Sequence, residues 1–132
     1  MNRKDLEERL INFSVSIIKL IQELPQSKIA NHLAGQLLRS GTSPALNYGE
    51  AQSGESRKDF IHKMKIALKE LRETFTSLSI IHRSKLLSSE DKIKVIMKEN
   101  NELISIFVKS VDTAQKNDEA QESKINEHKS KI

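Results

Sequence analysis

Apolar residues recur at helical spacing along the first stretch of the chain. They alternate in steps of four and three residues, which places them on one face of a helix. A second apolar line, formed by Ile11, Val15 and Ile18, widens that face further than one bundle core would cover. Pro25 disfavours a helical conformation at the residue before it, so the pattern predicts a helix over 5–24. The main stripe is Leu6, Leu10, Phe13, Ile17, Leu20 and Leu24.

The second stretch begins after Ser27, a good N-cap residue, and carries Ile29, Leu33 and Leu37 on one stripe. Pro44 falls inside this pattern. Its ring clashes with the carbonyl four residues earlier and removes one helical hydrogen bond. The pattern therefore predicts a helix over 27–53 with a break or kink near Gly41–Pro44.

Two longer patterns follow. The third, starting at Ser56, predicts a helix over 56–87, which would be the spine of a bundle. The fourth predicts a helix over 89–115, with Glu90 and Asp91 in its first turn. After Ala114 the apolar stripe ends, so residues 116–132 are predicted to form a polar, disordered tail. The third stripe is Ile61, Met64, Leu68, Leu71, Phe75 and Leu78, and the fourth is Ile93, Ile96, Asn100, Leu103, Phe107 and Val111.

Four helical patterns with short connections predict an all-α fold. We expect an antiparallel up-down-up-down four-helix bundle over residues 1–115, with a kinked second helix. The outward apolar line on the first helix predicts a homo-oligomer, because one bundle core cannot cover both of its apolar sides.

Composition narrows the classes of protein. The 132 residues include no cysteine, which excludes a disulfide scaffold and thiolate metal sites. The N-terminus is acidic before any apolar run, and no run is long enough to cross a bilayer, so we expect a cytoplasmic protein without a membrane partner. The net charge of +4 permits an anionic partner without requiring one.

A line of basic residues follows one face of the third predicted helix. Such a line could track a phosphate backbone, since each lysine or arginine can neutralise one phosphate. With no tryptophan and one tyrosine, base stacking is not expected. The alternative is an ordinary solvated helix face. The members of this basic line are Lys58, His62, Lys65, Lys69, Arg72 and, three turns on, Arg83.

A second group of polar residues lies on the two central helices near the predicted kink. Paired carboxylates on adjacent helices can hold metal or transfer protons, but no Glu-x-x-His motif follows Glu50 or Glu70. We therefore expect a structural cluster in which Arg39 pairs with a carboxylate and Asn47 ties the kinked backbone, with no catalytic set, metal or cofactor. The predicted cluster is Arg39, Asn47, Glu50, Glu70 and Glu73.

The central stretch resembles the bacterial four-helix bundle proteins encoded in intervening sequences of 23S ribosomal RNA genes. The resemblance covers about Asp5 to Ala114. It departs at Thr76-Ser77, where that family often has a tryptophan, and at Pro44, where a small aliphatic residue is more usual. The matching residues are Gln36, Leu37, Arg39-Ser40-Gly41-Thr42-Ser43, Asn47-Tyr48, Glu50-Ala51, Ser56, Asp59-Phe60-Ile61, Lys63, Lys69-Glu70 and Glu73-Thr74.

This resemblance implies an all-helical fold. Through the related accessory proteins of diversity-generating retroelements, it also implies a homo-pentamer that contacts nucleic acid and a nucleic-acid-processing enzyme. The function expected from the sequence is a non-enzymatic oligomeric interaction protein with sequence-independent contact to RNA or DNA. Two alternatives are a bundle that binds only protein partners and, last, an enzyme or metal binder.

Overall fold

The computed structural model describes residues 1–54 and 56–130. Within these ranges it contains four helices and no strand, so the predicted all-α four-helix fold is confirmed. The helices are α1 (Arg3–Gln22), α2 (Lys28–Gln52), α3 (Arg57–Arg83) and α4 (Glu90–Ser130). Each packs on two neighbours, and the pairs α1–α3 and α2–α4 lie diagonally across the bundle.

A polar N-cap residue precedes each of the first three helices. Asn2 caps α1 by accepting a hydrogen bond from the Asp5 backbone amide at 2.9 Å, while the Asp5 carboxylate accepts one from the Asn2 amide at 3.3 Å. Ser27 and Ser56 cap α2 and α3 with their side-chain oxygens. Such caps satisfy amides that have no partner inside the helix, and they therefore fix where each helix begins.

The core follows the predicted apolar stripes closely on α1 and α4. On α3 it is shifted, because Ala67 and Thr74 are buried while Leu68 and Phe75 are only half-buried. At one end of the bundle the rings of Tyr48 and Phe107 meet edge to face, with centroids 5.9 Å apart. The Tyr48 hydroxyl lies 3.5 Å from the backbone oxygen of Arg3, so this contact joins α1, α2 and α4.

Residues paired across the seams run in opposite sequence order. Between α2 and α3, Arg39 contacts Glu70 and Glu73, whereas the later residue Glu50 contacts the earlier residue Lys63. Between α1 and α4, Arg9 pairs with Glu99, and Glu23 pairs with Lys92. This is the order expected of antiparallel neighbours.

The predicted break in the second helix is wrong, because α2 continues through Pro44 without interruption. Both Gly41 and Pro44 are buried against the bundle. Gly41 lies directly against Ile17 of α1, and Ser14 donates a hydrogen bond to its carbonyl oxygen at 3.2 Å. Packing of Gly41 and Pro44 against the bundle thus supports a continuous helix despite the one hydrogen bond that proline cannot donate. The kink itself stays a prediction.

The third helix ends four residues before its predicted end. Lys85 adopts a left-handed conformation with φ of 55°, and its amide and that of Leu86 donate back to the carbonyl oxygens of His82 and Ile81. This is the hydrogen-bond pattern of a Schellman turn, which usually has glycine at the left-handed position. With lysine there, the sequence carries no visible stop signal.

The fourth helix continues past its predicted end, since α4 extends to Ser130 where we expected disorder from residue 116. From Glu119 to Ser130 its residues are exposed. The extension contains no glycine or proline, and Ala120, Glu122 and Lys124 are good helix formers, so helix propensity persists after the apolar stripe stops. Lys131 and Ile132, the end of the predicted tail, lie outside the described residues.

None of the helices that the structure describes combines the length and the apolar character needed to cross a lipid bilayer.

Candidate nucleic-acid interface

The basic line lies on the outer face of α3. Its six residues are mostly exposed, and the buried positions of the helix, such as Met64, Ala67 and Leu71, lie on the opposite side. Within residues 1–54 and 56–130, no member of the line forms an ion pair. The six charged or titratable side chains, Lys58, His62, Lys65, Lys69, Arg72 and Arg83, therefore present their polar ends to solvent.

The centre of the line borders a surface groove of about 660 Å³. Lys65, Lys69 and Arg72 line this central groove together with Arg39 of α2, and Leu68 and Ile80 contribute apolar side chains. Among the described residues that line it, Glu73 is the one carboxylate. The groove therefore has four cationic groups and one anionic group.

The spacing of the basic line suits a repeating anion. Residues three or four apart on a helix are about 5–6 Å apart. From Lys58 to Arg83 the line rises roughly 38 Å at 1.5 Å per residue, which is close to the roughly 34–36 Å of one duplex turn. A rigid helix can therefore present several positive charges to one stretch of nucleic-acid backbone.

A second groove, of about 380 Å³, lies between the beginning of α3 and the extension of α4. Lys58, His62 and Lys65 line its α3 side. Its α4 side carries three carboxylates, those of Asp118, Glu119 and Glu122. The sequence prediction missed these acids because it treated the region as disordered, although the absence of glycine and proline there was a usable signal.

Arg39 joins α2 to α3 by two hydrogen-bonded ion pairs. Its Nη1 donates to Glu70 Oε2 and its Nη2 to Glu73 Oε2, each at 2.8 Å. The hydrogen bond from Arg39 lowers the pKa of Glu73 below its ordinary value, and both carboxylates raise the pKa of Arg39, with the Glu73 hydrogen bond the largest cause. We call these two contacts of Arg39, with Glu70 and Glu73, the Arg39 strap. Arg39 remains largely exposed, so the Arg39 strap lies at the rim of the central groove.

The other two members of the predicted polar cluster lie elsewhere. Asn47 donates to the Ser43 carbonyl oxygen at 3.0 Å and to its hydroxyl at 2.9 Å, one turn back on the same helix. Glu50 pairs with Lys63 at 2.6 Å, three turns beyond Arg39 along α2. The five residues therefore take part in three separate sets of contacts and do not form one cluster. The sequence could not distinguish these sets, because all five residues lie on the same pair of helices.

A layer of polar side chains crosses the core beneath the Arg39 strap. The hydroxyls of Ser40 and Thr74 lie 3.0 Å apart, and Thr74 also donates to the Glu70 carbonyl oxygen at 2.8 Å. On the other side of α3, Asn100 is fully buried and donates to the Leu71 carbonyl oxygen at 3.0 Å. These contacts connect α2, α3 and α4 at one level, directly behind the central groove.

The described residues offer no cluster suited to metal chemistry. Across residues 1–54 and 56–130, no three His, Asp or Glu side chains come close enough to share an ion. The paired carboxylates Glu70 and Glu73 are both hydrogen-bonded to the same arginine. Their contacts therefore suit helix pairing.

Comparison with known proteins agrees with the resemblance found in the central stretch. The family model described as 23S rRNA-intervening sequence protein matches residues 5–109. Among solved structures, the chain is similar to a protein of unknown function from the S23 ribosomal protein family of Bacteroides thetaiotaomicron. The two are 29% identical with a TM-score of 0.77, and the match covers 85% of this chain and 99% of the other. No curated protein matches the sequence.

Proposed function

This chain belongs to the 23S rRNA-intervening sequence protein family, and from that premise we propose that it is a non-enzymatic, oligomeric protein of the cytoplasm that contacts the backbone of RNA or DNA. The observation that carries the proposal is the exposed basic line of α3, whose members form no ion pair within the described residues. Cations that are not already neutralised can replace the counterions around phosphates.

The side chains in the central groove favour phosphate contact without base recognition. Lysine and arginine ends are available there, whereas Tyr48, the only tyrosine, is buried at another part of the bundle. Stacking of exposed bases normally needs an accessible aromatic ring. Binding should therefore be tolerant of base sequence and should weaken steeply with salt. The names of the family and of the structural relative refer to ribosomal RNA and to ribosomal proteins. These names suit a nucleic-acid context.

Charge reversal in the central groove provides the test. Lys65→Glu with Lys69→Glu should abolish the binding of labelled duplex DNA and structured RNA, measured by fluorescence anisotropy across a salt series. Both residues are exposed and form no ion pair within the described residues, so the oligomer and the melting temperature should change little.

A matched control is the reversal of Lys4 and Lys28 to Glu, which changes the net charge equally on α1 and α2. Both are exposed and lie at helix starts away from the central groove. The control should bind nearly as the wild type does. Absence of wild-type binding at low salt, or equal losses in the two double variants, would contradict nucleic-acid contact through α3.

The oligomeric part of the proposal rests on a different surface. Ile11, Val15 and Ile18 form an outward-facing apolar stripe along α1, which we call the α1 stripe, and each is about 40% exposed. Leu38 of α2 is exposed as well. A continuous apolar stripe of this kind usually marks a protein interface. We expect copies of the chain to associate through it into a closed ring, with five copies suggested by the resemblance.

The alternative function uses this apolar stripe and not the basic line. A bundle that binds only protein partners would retain its interaction when Lys65 and Lys69 are reversed and lose it when the α1 stripe is made polar. The exposure of the stripe favours some protein contact in either case. The anisotropy series with its matched control distinguishes the two.

A further inference from the structure

The basic line is not uniform along its length. Its first half, Lys58, His62 and Lys65, faces the extension of α4 across the second groove, and Lys65, the last of the three, also borders the central groove. Beyond that groove, Lys69 and Arg72 face the central groove and Arg83 lies exposed at the end of α3. The two halves therefore have different electrostatic surroundings on the same helix.

Three carboxylates line the α4 side of the second groove, those of Asp118, Glu119 and Glu122, which we call the acidic screen. None of the three forms an ion pair with the lysines opposite in the described part of the chain. They face those lysines across an open groove. Electrostatic effects persist over a Debye length of about 8 Å at physiological ionic strength, which is the range over which the acidic screen would act on these lysines.

The screen belongs to the same continuous helix as the core residues of α4. Leu103, Phe107 and Val111 are buried in the bundle, and no glycine or proline interrupts the helix between Val111 and Glu122. Core packing thereby sets the rotation and height at which the acids reach α3. A disordered acidic tail would lack this fixed register.

We propose that the acidic screen competes with nucleic acid for Lys58, His62 and Lys65, so that the protein restrains its own binding. This rests on the proposed function of the basic line. The carboxylates stand where phosphates would otherwise come, and a bound backbone must overcome their repulsion. Nucleic acid then first engages Lys69, Arg72 and Arg83, and the other half joins only when the screen is displaced or neutralised.

The test removes the charges and keeps the shapes. The triple variant Asp118→Asn, Glu119→Gln, Glu122→Gln should bind labelled duplex DNA about threefold to tenfold more tightly at low salt, since each exposed charge interaction is individually modest. The plot of log affinity against log salt should steepen by about one to two, because Lys58 and Lys65 would then neutralise additional phosphates. Circular dichroism of both proteins should show equal helix content.

A charge-matched control separates this effect from a general increase in positive charge. Glu7→Gln, Glu8→Gln, Glu127→Gln changes the net charge by the same amount. Glu7 and Glu8 are exposed on α1, the helix diagonal to α3, and Glu127 lies beyond the groove. The control should raise affinity less than the screen variant does and should leave the salt slope near the wild-type value.

The outcomes distinguish the two proposals. If wild-type binding depends on Lys65 and Lys69 but the screen variant behaves like its charge-matched control, the screen is refuted and the proposed function stands. If wild-type binding depends on Lys65 and Lys69, and the screen variant binds more tightly than both the wild type and the charge-matched control, both proposals are supported. If no protein in the set binds at low salt, the proposed function fails and the screen fails with it.

Discussion

At Gly41, α2 approaches α1 closely. A methyl group built on it would lie 2.8 Å from Ile17 Cγ2 and 2.9 Å from Ile17 Cγ1, well inside normal contact distance. Ile17 is fully buried and cannot swing away into solvent. Gly35 and Gly49 of the same helix are exposed, and a methyl group on either would meet no atom within 4 Å.

Gly41 and Gly49 should respond oppositely to substitution by alanine. We expect Gly41→Ala to lower the free energy of unfolding by about 1–3 kcal/mol through overpacking. Gly49→Ala should raise it by about 0.5–1 kcal/mol, because alanine loses less conformational entropy in a helix. Urea titration followed by circular dichroism measures both. A stabilised Gly41→Ala protein would show that α1 and α2 are further apart than described.

The hydrophobic pattern of the sequence predicted the burial of some side chains but not of others. Leu71 and Phe107 are buried where their stripes predicted, because helical periodicity is a property of the chain itself. Burial of Ser40 and Thr74 could not be predicted, since their hydroxyls satisfy each other only across two helices. Asn100 was predicted to lie on an apolar stripe and is buried there. Its hydrogen bond to the Leu71 carbonyl oxygen could not be predicted, because it depends on how α3 is positioned lengthwise against α4.

At the scale of elements, the sequence predicted the number of helices and most of their starts. It failed where a helix ends without glycine or proline. Lys85 stops α3 in a conformation that lysine seldom adopts, and α4 continues after its stripe because local propensity suffices. The six basic residues were found together because they lie on one helix that the pattern predicted. The acids facing three of them were missed because they lie on the part of α4 that was predicted to be disordered.

The Arg39 strap between α2 and α3 should weaken in acid. Its hydrogen bond lowers the pKa of Glu73 in the folded protein below the ordinary value of 4.5. A carboxylate with a lowered folded pKa stabilises the fold above its unfolded pKa, and that contribution is lost as the pH falls through the folded value. The effect should be small, since both partners are partly exposed.

Thermal unfolding between pH 7 and pH 3 tests this linkage. The difference in melting temperature between the wild type and Glu73→Gln should be largest near neutral pH and should shrink below about pH 4.5. Glu8→Gln, which alters an exposed carboxylate outside any described ion pair, serves as the control and should show no comparable convergence. If the melting temperatures of the wild type and Glu73→Gln differed by the same amount at every pH, the ion pair between Arg39 and Glu73 would not contribute to the pH dependence of stability.

At the scale of the whole molecule, we propose that the α1 stripe determines whether the chain is a monomer or an oligomer. We expect light scattering at micromolar concentration to give a mass several times the 15.0 kDa of one chain. Val15→Lys should shift the mass toward 15.0 kDa, because a charge in the centre of an apolar interface must be desolvated.

Val95→Lys is the matched control for the assembly. Val95 is more exposed than Val15 but lies on α4, where it borders the α1–α4 seam away from Ile11 and Ile18. It should leave the mass unchanged. A wild-type mass near 15.0 kDa, or dissociation by both substitutions equally, would contradict assembly through the α1 stripe.

The contact between Tyr48 and Phe107 has a spectroscopic consequence. The chain has one tyrosine and no tryptophan, so tyrosine emission and most near-ultraviolet absorption come from a single ring. That ring is buried where α1, α2 and α4 meet, and burial raises the pKa of its phenol above the ordinary value. A change in ultraviolet signal therefore reports on this one end of the bundle, and alkaline ionisation of the phenol marks its opening without any introduced dye.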